Sequence, residues 1–372
     1  MCPILLPTAV CVVSKTILIM AGGTGGHIFP AISVAEYLRE KGWNIVWLGS
    51  QSGMEARIVP AHGYVMAGIR FSGLRGKGLL RAAMLPFNLL IAFWQSARAI
   101  FAHRPDVVLG MGGYVAFPGG LMASLLNRPL VIHEQNSVAG LTNRVLARLA
   151  DRVLVAFPNA FKNKQLCCWV GNPVRAGIGA IDAPAARYNT RGKHLQVLVL
   201  GGSQGAAVLN AILPLALALI PAADRPQVTH QSGAAHIDTL RAAYAAAGVQ
   251  AKTLPFIDDM AAGYAQADLV ICRAGASTVA EIAAAGVASV LVPLPSAVDD
   301  HQTHNARFLV ERGAAVLIAQ SEFTSEKLAQ LLQGFTRDKL LVMACAARAA
   351  AKPDATQAVA QVCMELAHAA QG

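Results

Sequence analysis

The chain has 372 residues, of which 55% are hydrophobic and only 14% are charged. This composition excludes a disordered chain, and the length is sufficient for two domains with buried cores. Seven cysteines occur without a CxxC or zinc-type spacing, which indicates reduced thiols that behave as small hydrophobic side chains. No run of 18 or more uncharged apolar residues is present, so the sequence predicts no membrane-spanning helix.

The formal net charge of +10 comes entirely from the first half of the chain. Residues 1–175 carry 17 basic and 6 acidic side chains, a net of +11, whereas residues 176–372 carry 14 basic and 15 acidic side chains, a net of −1. Such asymmetry is typical of proteins that contact nucleic acid, an anionic membrane or phosphorylated substrates. We expect no nucleic acid, because the chain has neither aromatic-rich basic strands nor a recognition-helix pattern.

Strands and helices alternate through the first half. An apolar segment of 14 residues comes first; it has no basic start and contains two prolines, which favours an extension or a misplaced start over a signal peptide. Apolar runs then predict a helix at Ala31–Lys41 and strands at Lys15–Met20, Trp43–Leu48, Asp106–Leu109, Leu130–His133 and Val153–Val155. This order predicts a parallel sheet with helices on both faces.

The same pattern restarts after residues 176–192, which lack periodicity and predict a linker. A helix is predicted from Ala206, and strands at Leu195–Leu200, Gln227–His230, Leu269–Cys272 and Ser289–Val292. We therefore expect an α/β protein with two Rossmann-like domains that face a cleft, over residues 1–175 and 176–352. The tail, at about residues 353–372, is predicted to be a helix that crosses back to the first domain.

Three glycine-rich turns follow predicted strands, at residues 21–27 (AGGTGGH), 110–114 (GMGGY) and 201–206 (GGSQGA). Glycine lets the backbone approach an anion closely, and the N-terminus of a following helix offers N–H groups and a positive dipole end. Tight turns also use glycine without any ligand. Two such turns at equivalent points of the two halves nevertheless favour a ligand that carries phosphate.

The sequence does not match the patterns of two common phosphate-binding sites, which disfavours a dinucleotide cofactor and excludes a P-loop. The dinucleotide fingerprint GxGxxG lacks its third glycine when read from Gly23, and no acidic residue for a ribose follows the second strand at Gly49-Ser50. No GK[ST] sequence occurs, which excludes a P-loop nucleotide hydrolase.

Residues 272–281 (CRAGASTVAE) connect a predicted strand to a predicted helix and allow two interpretations. In one, Ser277 or Thr278 is the N-cap and Glu281 completes a capping box three residues after Thr278. In the other, Glu281 accepts hydrogen bonds from two ribose hydroxyls at the carboxyl edge of the sheet, where open α/β sheets bind ligands.

A polar cluster at residues 293–305 (PLPSAVDDHQTHN) follows the next strand and predicts a loop that contacts a sugar. His301 and His304, with Asp299 and Asp300 beside them, resemble metal ligands in type. The run is short and lacks clear partners, so we expect neither a metal nor an organic cofactor.

Seven motifs, in order from Lys15 to about Asp354, together resemble the MurG family of peptidoglycan glycosyltransferases: GGTGGH (22–27), GGYV (112–115), HEQN (133–136), GNPVR (171–175), GGSQGA (201–206), FIDDM (256–260) and RAGASTVAE (273–281). Each motif alone is shared with other glycosyltransferases, but the ordered set is specific. The resemblance implies a GT-B fold with the active site in the cleft. It also implies an inverting transfer of N-acetylglucosamine from UDP-N-acetylglucosamine to the C4 hydroxyl of the muramyl sugar of lipid I, which is undecaprenyl-pyrophosphoryl-muramyl-pentapeptide. The product would be lipid II.

The resemblance also implies roles for single residues. His27 matches the proposed general base, and the loop Thr24-Gly25-Gly26 lies near the acceptor pyrophosphate and the donor. The donor is implied to be held by a set of positions along both halves: Asn136, Arg175, Ser203 on the phosphates, the backbone of Ile257 on uracil, the run Ala276, Ser277, Thr278, Val279, Ala280 and Glu281 on the nucleotide with Glu281 on the ribose, and Gln302 on the sugar hydroxyls. The family often has two adjacent glutamines where this chain has His301-Gln302.

The residue types agree with this chemistry. A sugar hydroxyl is a poor nucleophile, and histidine is suited to take its proton near neutral pH. A glycine loop at a helix N-terminus stabilises the departing UDP without a metal. Two alternatives remain, which are a nucleotide-sugar epimerase on the same two-domain plan and a non-catalytic subunit that binds a nucleotide sugar.

The segment between Glu55 and Asp106 contains no acidic residue and predicts membrane contact. Residues 79–94 are mostly apolar but too few to span a bilayer, which favours a position in its interface. The alternative is an ordinary core helix beside a solvated basic loop. Because the acceptor tail lies in the bilayer, we expect peripheral binding to the anionic cytoplasmic face of the cell (inner) membrane through four basic residues: Arg70, Arg75, Lys77 and Arg81.

Overall fold

The computed structural model describes residues 14–71, 84–163, 167–189, 191–202 and 205–369. Within these residues the chain forms two separate sheets in which neighbouring strands run parallel, with helices packed on them. The α/β prediction with two Rossmann-like halves is therefore confirmed. Residues 1–13 of the predicted N-terminal extension, residues 79–83 of the predicted membrane-contacting segment, Ser203 and the basic residues Arg75, Lys77 and Arg81 lie outside the described residues.

The first sheet is built from seven strands, which are β1 (Thr16–Met20), β2 (Asn44–Ser50), β3 (Val65–Ile69), β4 (Val107–Gly110), β5 (Leu130–Glu134), β6 (Arg152–Val155) and β7 (Cys167–Trp169). The described helices among them are α1 (Gly25–Glu40), α2 (Glu55–Ala61), α3 (Leu85–His103), α4 (Ala116–Leu125) and α5 (Leu141–Leu146). The strand order is β3-β2-β1-β4-β5-β6-β7. In register, Ile19 of β1 lies beside Trp47 and Leu109 of its two neighbours, and all three are fully buried. Helices cover both faces of the central strands, which explains why these strands have no polar face.

Two short helices, α6 (Ala176–Gly179) and α7 (Pro184–Tyr188), connect the two sheets. Residues 176–192 thus connect the two sheets, as the linker interpretation expected, and the sequence missed only the two helices in them, because helices of four or five residues are too short to produce a hydrophobic period. The Tyr188 hydroxyl donates to the carbonyl of Asp268 at 2.6 Å, and Arg187 donates to the carbonyl of Ala285 at 2.7 Å. These bonds fasten the connection to the second sheet.

The second sheet is built from β8 (Gln196–Leu200), β9 (Gln227–Gln231), β10 (Lys252–Leu254), β11 (Leu269–Cys272), β12 (Ala288–Leu291) and β13 (Ala315–Leu317). Its helices are α8 (Ala207–Ala218), α9 (Ile237–Ala246), α10 (Met260–Gln266), α11 (Ala276–Ala285), α12 (His301–Val310), α13 (Ser325–Gly334) and α14 (Arg337–Ala350). The strand order is β10-β9-β8-β11-β12-β13, which repeats the pattern of the first sheet. The last helix, α15 (Ala355–Ala369), packs on α1, and its Val359, Cys363 and Ala367 join the core of the first sheet.

The strand order reverses direction next to β1 in the first sheet and next to β8 in the second. Ligands of open α/β sheets bind beyond the carboxyl ends of the strands at such points. The two points meet in this molecule, because the Ser277 hydroxyl at the start of α11 lies 3.4 Å from the carbonyl of Gly26 in α1. The start of α1 and the start of α11 therefore lie against each other in one cleft.

Candidate active site

The first glycine turn leads from β1 directly into α1. Gly23 has a φ of +86°, which favours glycine, and Thr24 is the N-cap, with no side-chain cap bond to the first helical turn. A fully buried carboxylate holds this turn from behind, since Glu55 accepts hydrogen bonds from the backbone N–H groups of Gly23 at 3.1 Å and Ser50 at 2.9 Å. The turn thus presents a helix N-terminus, which favours anions, to the cleft.

His27 lies in the first turn of α1 and is half-buried. Its Nδ1 is 2.8 Å from Oε1 of Gln135, which follows β5. Gly112, in the turn after β4, faces the same ring so closely that a Cβ there would lie 2.8 Å from Nδ1. The three turns after β1, β4 and β5 therefore fix the position of one imidazole.

Asn136 lies next to this histidine site and joins the two halves. Its Nδ2 donates to Glu134 at 3.3 Å, and its Oδ1 accepts from Asn305 of α12 at 3.4 Å. Asn305 is fully buried, and its Oδ1 also accepts from the backbone N–H and the hydroxyl of Ser137 at 2.9 and 2.7 Å. A further contact between the halves is the ion pair of Arg144 with Asp299, at 3.6 Å.

Glu281 of α11 is held by two protein groups. Arg175 donates to its Oε1 at 3.1 Å through the guanidinium, and the Tyr264 hydroxyl donates to its Oε2 at 3.0 Å. Burial raises the pKa of Glu281, while Arg175 and the Tyr264 hydroxyl act in the opposite direction. The Arg175 guanidinium also lies over the ring of Phe29 in α1, 5.6 Å from its centroid. Arg175 and Glu281, predicted from different motifs, are therefore direct neighbours.

The start of α11 differs from the capping-box interpretation, which is wrong. The N-cap is Gly275, and no side chain caps the helix, so Ser277 and Thr278 occupy its first turn. Glu281 lies in the second turn and bonds to side chains elsewhere, as described above. Within the predicted nucleotide-contacting run, the Val279 side chain is fully buried in the core. Only its backbone is available to a nucleotide.

The remaining predicted donor residues occupy the second half. The Ile257 side chain is buried in a hydrophobic core of the second half, which is compatible with the predicted backbone role. Gln302 is half-buried, and its Oε1 accepts from the backbone N–H of Leu294 at 3.0 Å. Ser203 lies outside the described residues. These roles stay predictions.

Histidines 301 and 304 do not form a metal centre with the aspartates beside them. His301 Nδ1 is 2.7 Å from the carbonyl of Val298, Asp300 accepts from the Thr303 hydroxyl at 2.6 Å, and Asp299 pairs with Arg144. Across the part of the chain that the structure describes, no group of three or more His, Cys, Asp or Glu side chains could hold a metal ion.

Sequence reasoning missed four residues that organise this site: Glu55, Gln135, Tyr264 and Asn305. Two of them lie in motifs that the sequence singled out, HEQN at 133–136 and the polar cluster at 293–305. Their partners are far away in sequence: the Gln135–His27 contact spans 108 positions and the Asn305–Ser137 contact 168. Composition and spacing contain no signal for such long-range pairs.

Comparison with known protein families gives a match in each half of the chain. The model of the glycosyltransferase family 28 N-terminal domain matches residues 17–155, and that of the C-terminal domain matches residues 196–361. A relative from Cupriavidus metallidurans is 61% identical over 354 residues, covering 95% of this chain and 99% of its own. A relative from Azoarcus sp. is 64% identical over 353 residues, covering 95% and 98%. Both are named UDP-N-acetylglucosamine–N-acetylmuramyl-(pentapeptide) pyrophosphoryl-undecaprenol N-acetylglucosamine transferase.

Solved structures of glycosyltransferases and related proteins resemble this chain over nearly its whole length. MurG from Acinetobacter baumannii is 42% identical, with a TM-score of 0.82, over 94% of this chain and 99% of its own. A putative UDP-N-acetylglucosamine 2-epimerase from Listeria monocytogenes is 14% identical, with a TM-score of 0.62, over 93% and 94%. The second likeness shows the fold alone. The fold is therefore common to transferases and at least one protein described as an epimerase.

Proposed function

We infer that this chain, which belongs to the MurG family within glycosyltransferase family 28, transfers N-acetylglucosamine from UDP-N-acetylglucosamine to lipid I and so makes lipid II for peptidoglycan synthesis. The observation that most supports the mechanism is the meeting of the two strand-order reversal points. It brings α1, with His27 in its first turn, against the start of α11, the proposed nucleotide helix.

In the proposed mechanism, His27 is the general base. Its imidazole removes the proton from the C4 hydroxyl of the muramyl sugar as this oxygen attacks the anomeric carbon of the donor. The bond between the anomeric carbon and UDP breaks in the same step, so the configuration inverts. The turn Thr24-Gly25-Gly26 at the N-terminus of α1 lies beside this histidine and supplies a positive dipole end to the pyrophosphate groups.

The donor is proposed to occupy the second half of the cleft. Glu281 would accept from the ribose hydroxyls, while Arg175, which pairs with it at 3.1 Å, would contact the donor beside it. Asn136 is a proposed donor contact from the first half, Gln302 is proposed to contact the sugar hydroxyls, and Ser203, Ile257 and the 276–280 run complete the nucleotide site. We further propose that the first domain ends at Arg175, that the second spans 176–352, and that residues 353–372 return to the first.

Peripheral membrane binding is proposed for α3. One face of this helix is buried through Ala92, Ser96, Ala99 and Ile100. The opposite face exposes a stripe of large apolar side chains, which we call the α3 stripe: Phe87 (62% exposed), Leu90 (64%), Trp94 (62%) and Phe101 (63%). An ordinary core helix does not leave four such side chains in water, whereas an interfacial helix buries them in lipid.

None of the helices in the described ranges is long and apolar enough to cross a bilayer. Together with the net charge of +11 over residues 1–175, the α3 stripe supports attachment to an anionic surface, which we assign to the cytoplasmic face of the cell (inner) membrane. The proposal follows from the acceptor, whose tail would stay in the lipid while its sugar enters the cleft, so the first domain has to dock on the membrane.

The test of the proposed function is the release of UDP with and without acceptor. A transferase releases UDP from UDP-N-acetylglucosamine in step with the addition of lipid I, and releases almost none without it. A nucleotide-sugar epimerase would convert the donor without any lipid. A non-catalytic binding subunit would bind the donor and release no UDP in either case.

A further inference from the structure

We propose that Gln135 and His133 are positioning residues that hold His27 in the tautomer whose Nδ1 carries the proton and whose Nε2 is free to act as the base. This inference rests on the proposed role of His27 as the general base. It concerns a hydrogen-bond chain that starts at His27 in the cleft, passes through the side chains of Gln135 and His133, and ends at the backbone carbonyls of His133 and Gly171.

The carbonyl of Gly171 determines which nitrogen of His133 carries the proton, and this ring is the buried end of the hydrogen-bond chain. His133 Nε2 lies 2.8 Å from this oxygen, and a carbonyl oxygen only accepts hydrogen bonds, so Nε2 carries a proton. His133 is fully buried, and this burial lowers its pKa to about 4. The ring is therefore neutral at neutral pH, and its Nδ1 has a lone pair and no proton.

The orientation of the Gln135 amide follows from two acceptors. Its Nε2 lies 3.0 Å from the His133 Nδ1 lone pair and 3.1 Å from the backbone carbonyl of His133. An amide nitrogen has two hydrogens, and both find acceptors here. The flipped amide would place its oxygen against a carbonyl and a lone pair, which is repulsive. The amide oxygen therefore faces the other way, toward His27.

The tautomer of His27 is then determined. Oε1 of Gln135 is 2.8 Å from His27 Nδ1 and only accepts, so Nδ1 donates and carries the proton. The neutral ring keeps its lone pair on Nε2, on the edge opposite Gln135. The carbonyls of Gly171 and His133, which can only accept hydrogen bonds, thus set the tautomer of His27. The nitrogen left free to act as the base is Nε2.

This arrangement has a chemical consequence for the transfer step. The O–H bond of the acceptor hydroxyl breaks, its proton moves to His27 Nε2, and its electron pair forms the new bond to the anomeric carbon. The electron pair of the broken bond to UDP leaves on the phosphate oxygen. The Gln135 oxygen keeps its hydrogen bond to Nδ1–H throughout, so the imidazolium forms without a change of partner.

The direct test is ¹⁵N NMR of protein labelled at histidine, recorded at mildly alkaline pH, with the His27 signals assigned by comparison with His27→Ala. We expect a pyrrole-type Nδ1 and a pyridine-type Nε2 for His27 in the otherwise unchanged protein. Gln135→Met removes the acceptor and should shift the ring toward the Nε2–H tautomer. Gln135→Glu keeps an oxygen that accepts from His27 Nδ1–H and should retain this tautomer, while its second oxygen, in place of the amide nitrogen, can bond to His133 only through a proton of its own. The control is His230→Phe, a change at another buried histidine in the second sheet, which should leave His27 unaltered.

A His27 ring protonated at Nε2 in the unchanged protein would overturn the proposal, as would an unchanged tautomer in Gln135→Met. Because the unchanged protein and Gln135→Glu are informative by themselves, the test stands even when Gln135→Met does not fold.

Turnover separates this inference from the proposed function. Gln135→Met should lower kcat by about 10²-fold, the lower end of what loss of a general base costs, with little change in KM for the donor. An Nδ1–H tautomer together with full turnover in His27→Ala would contradict the role of His27 and leave the hydrogen-bond chain intact. Inactive His27→Ala together with an Nε2–H ring would contradict the chain alone.

Discussion

Arg175 and Glu281 form an ion pair at 3.1 Å where the two halves of the molecule join, with 41% of the arginine side chain exposed but only 9% of the glutamate. The Tyr264 hydroxyl binds the other oxygen of the same carboxylate. A ribose that approaches Glu281 therefore meets a carboxylate that is already oriented and whose arginine partner is accessible. Nucleotide binding at this position would redistribute hydrogen bonds among Glu281, Arg175 and the ligand.

The first prediction concerns Glu281→Ala. If the carboxylate accepts from both ribose hydroxyls, UDP binding should weaken by about 1.5–3 kcal/mol, which is about 10- to 150-fold in Kd, as for hydrogen bonds to a charged group. Calorimetric titration with UDP measures the loss. A 2′-deoxy donor serves as the matched ligand. The unchanged protein should bind it more weakly than the normal donor, whereas the variant should bind both donors with nearly the same affinity. Undiminished UDP affinity together with lower thermal stability would show that the carboxylate only serves the fold.

The second prediction concerns His27→Ala. Removal of the base should lower kcat by about 10²- to 10⁴-fold, while the Kd of UDP changes little because the ring is proposed to act on the acceptor hydroxyl. Acceptor-dependent UDP release and UDP titration measure the two quantities separately. Turnover close to that of the unchanged protein would remove His27 from the mechanism.

The third prediction concerns the α3 stripe. Substitution of Phe87, Leu90 and Trp94 by Ser should reduce binding to phosphatidylglycerol vesicles, because these side chains lose the apolar area that enters the lipid. The matched control replaces three exposed apolar residues of the second half by Ser: Leu215, Leu219 and Val342. Co-sedimentation with vesicles should distinguish the two variants, and binding should fall with salt. Equal binding by both would contradict the assignment of this face.

The sequence makes a related prediction for the basic segment. Replacement of Arg75, Lys77 and Arg81 by Ser should lower vesicle binding, since each basic residue near an anionic surface contributes about 1 kcal/mol. Turnover should fall on full-length lipid acceptor and stay nearly constant on a water-soluble, short-chain acceptor. Equal losses on both acceptors would indicate that these residues contact the acceptor pyrophosphate or support the fold.

The fifth prediction concerns stability in acid. His230 is fully buried beside the Tyr244 hydroxyl, and this burial lowers its pKa to about 3. The unfolded chain therefore binds more protons than the folded one from the ordinary histidine pKa, near 6.5, down to about 3, so stability should fall as the pH falls through this window. His230→Phe should show a weaker loss over this range in thermal unfolding. His368→Phe, a change at an exposed histidine, should keep the slope of the unchanged protein. Equal slopes in all three would contradict a neutral, buried His230.

Central strands were predictable from sequence, and edge strands were not. Leu269–Cys272 was predicted at its observed bounds, and the other predicted strands differ from the observed ones by one or two residues at an end. The strands that the sequence did not indicate are those at the four sheet edges: β3, β7, β10 and β13. Helices cover a central strand on both faces but do not fully cover both faces of an edge strand. The sequence of an edge strand therefore lacks the continuous apolar run that marks a central strand.

The motifs located the cleft, whereas the hydrogen-bond partners needed the structure. His27 ends the first glycine turn and Glu281 ends the strand-to-helix motif at residues 272–281, both identified in the sequence, and each lies near the start of a helix at a reversal of strand order. The partner of His27 is Gln135, and the sequence does not distinguish it from its polar neighbours Glu134 and Asn136. Which of three consecutive polar side chains turns toward the cleft depends on backbone direction after β5, and this is a tertiary property.

The chemical structure of the lipid product is the most decisive measurement. The purified protein is incubated with UDP-N-acetylglucosamine and lipid I, and the lipid fraction is isolated and its sugar linkage determined by NMR and mass spectrometry. We predict a disaccharide with N-acetylglucosamine β-linked to the C4 oxygen of the muramyl sugar, formed in equal amount with UDP, because the donor is α-linked and direct displacement inverts the anomeric carbon. An α-linked product, a sugar attached elsewhere, or an epimerised donor with unmodified lipid would contradict the proposed function.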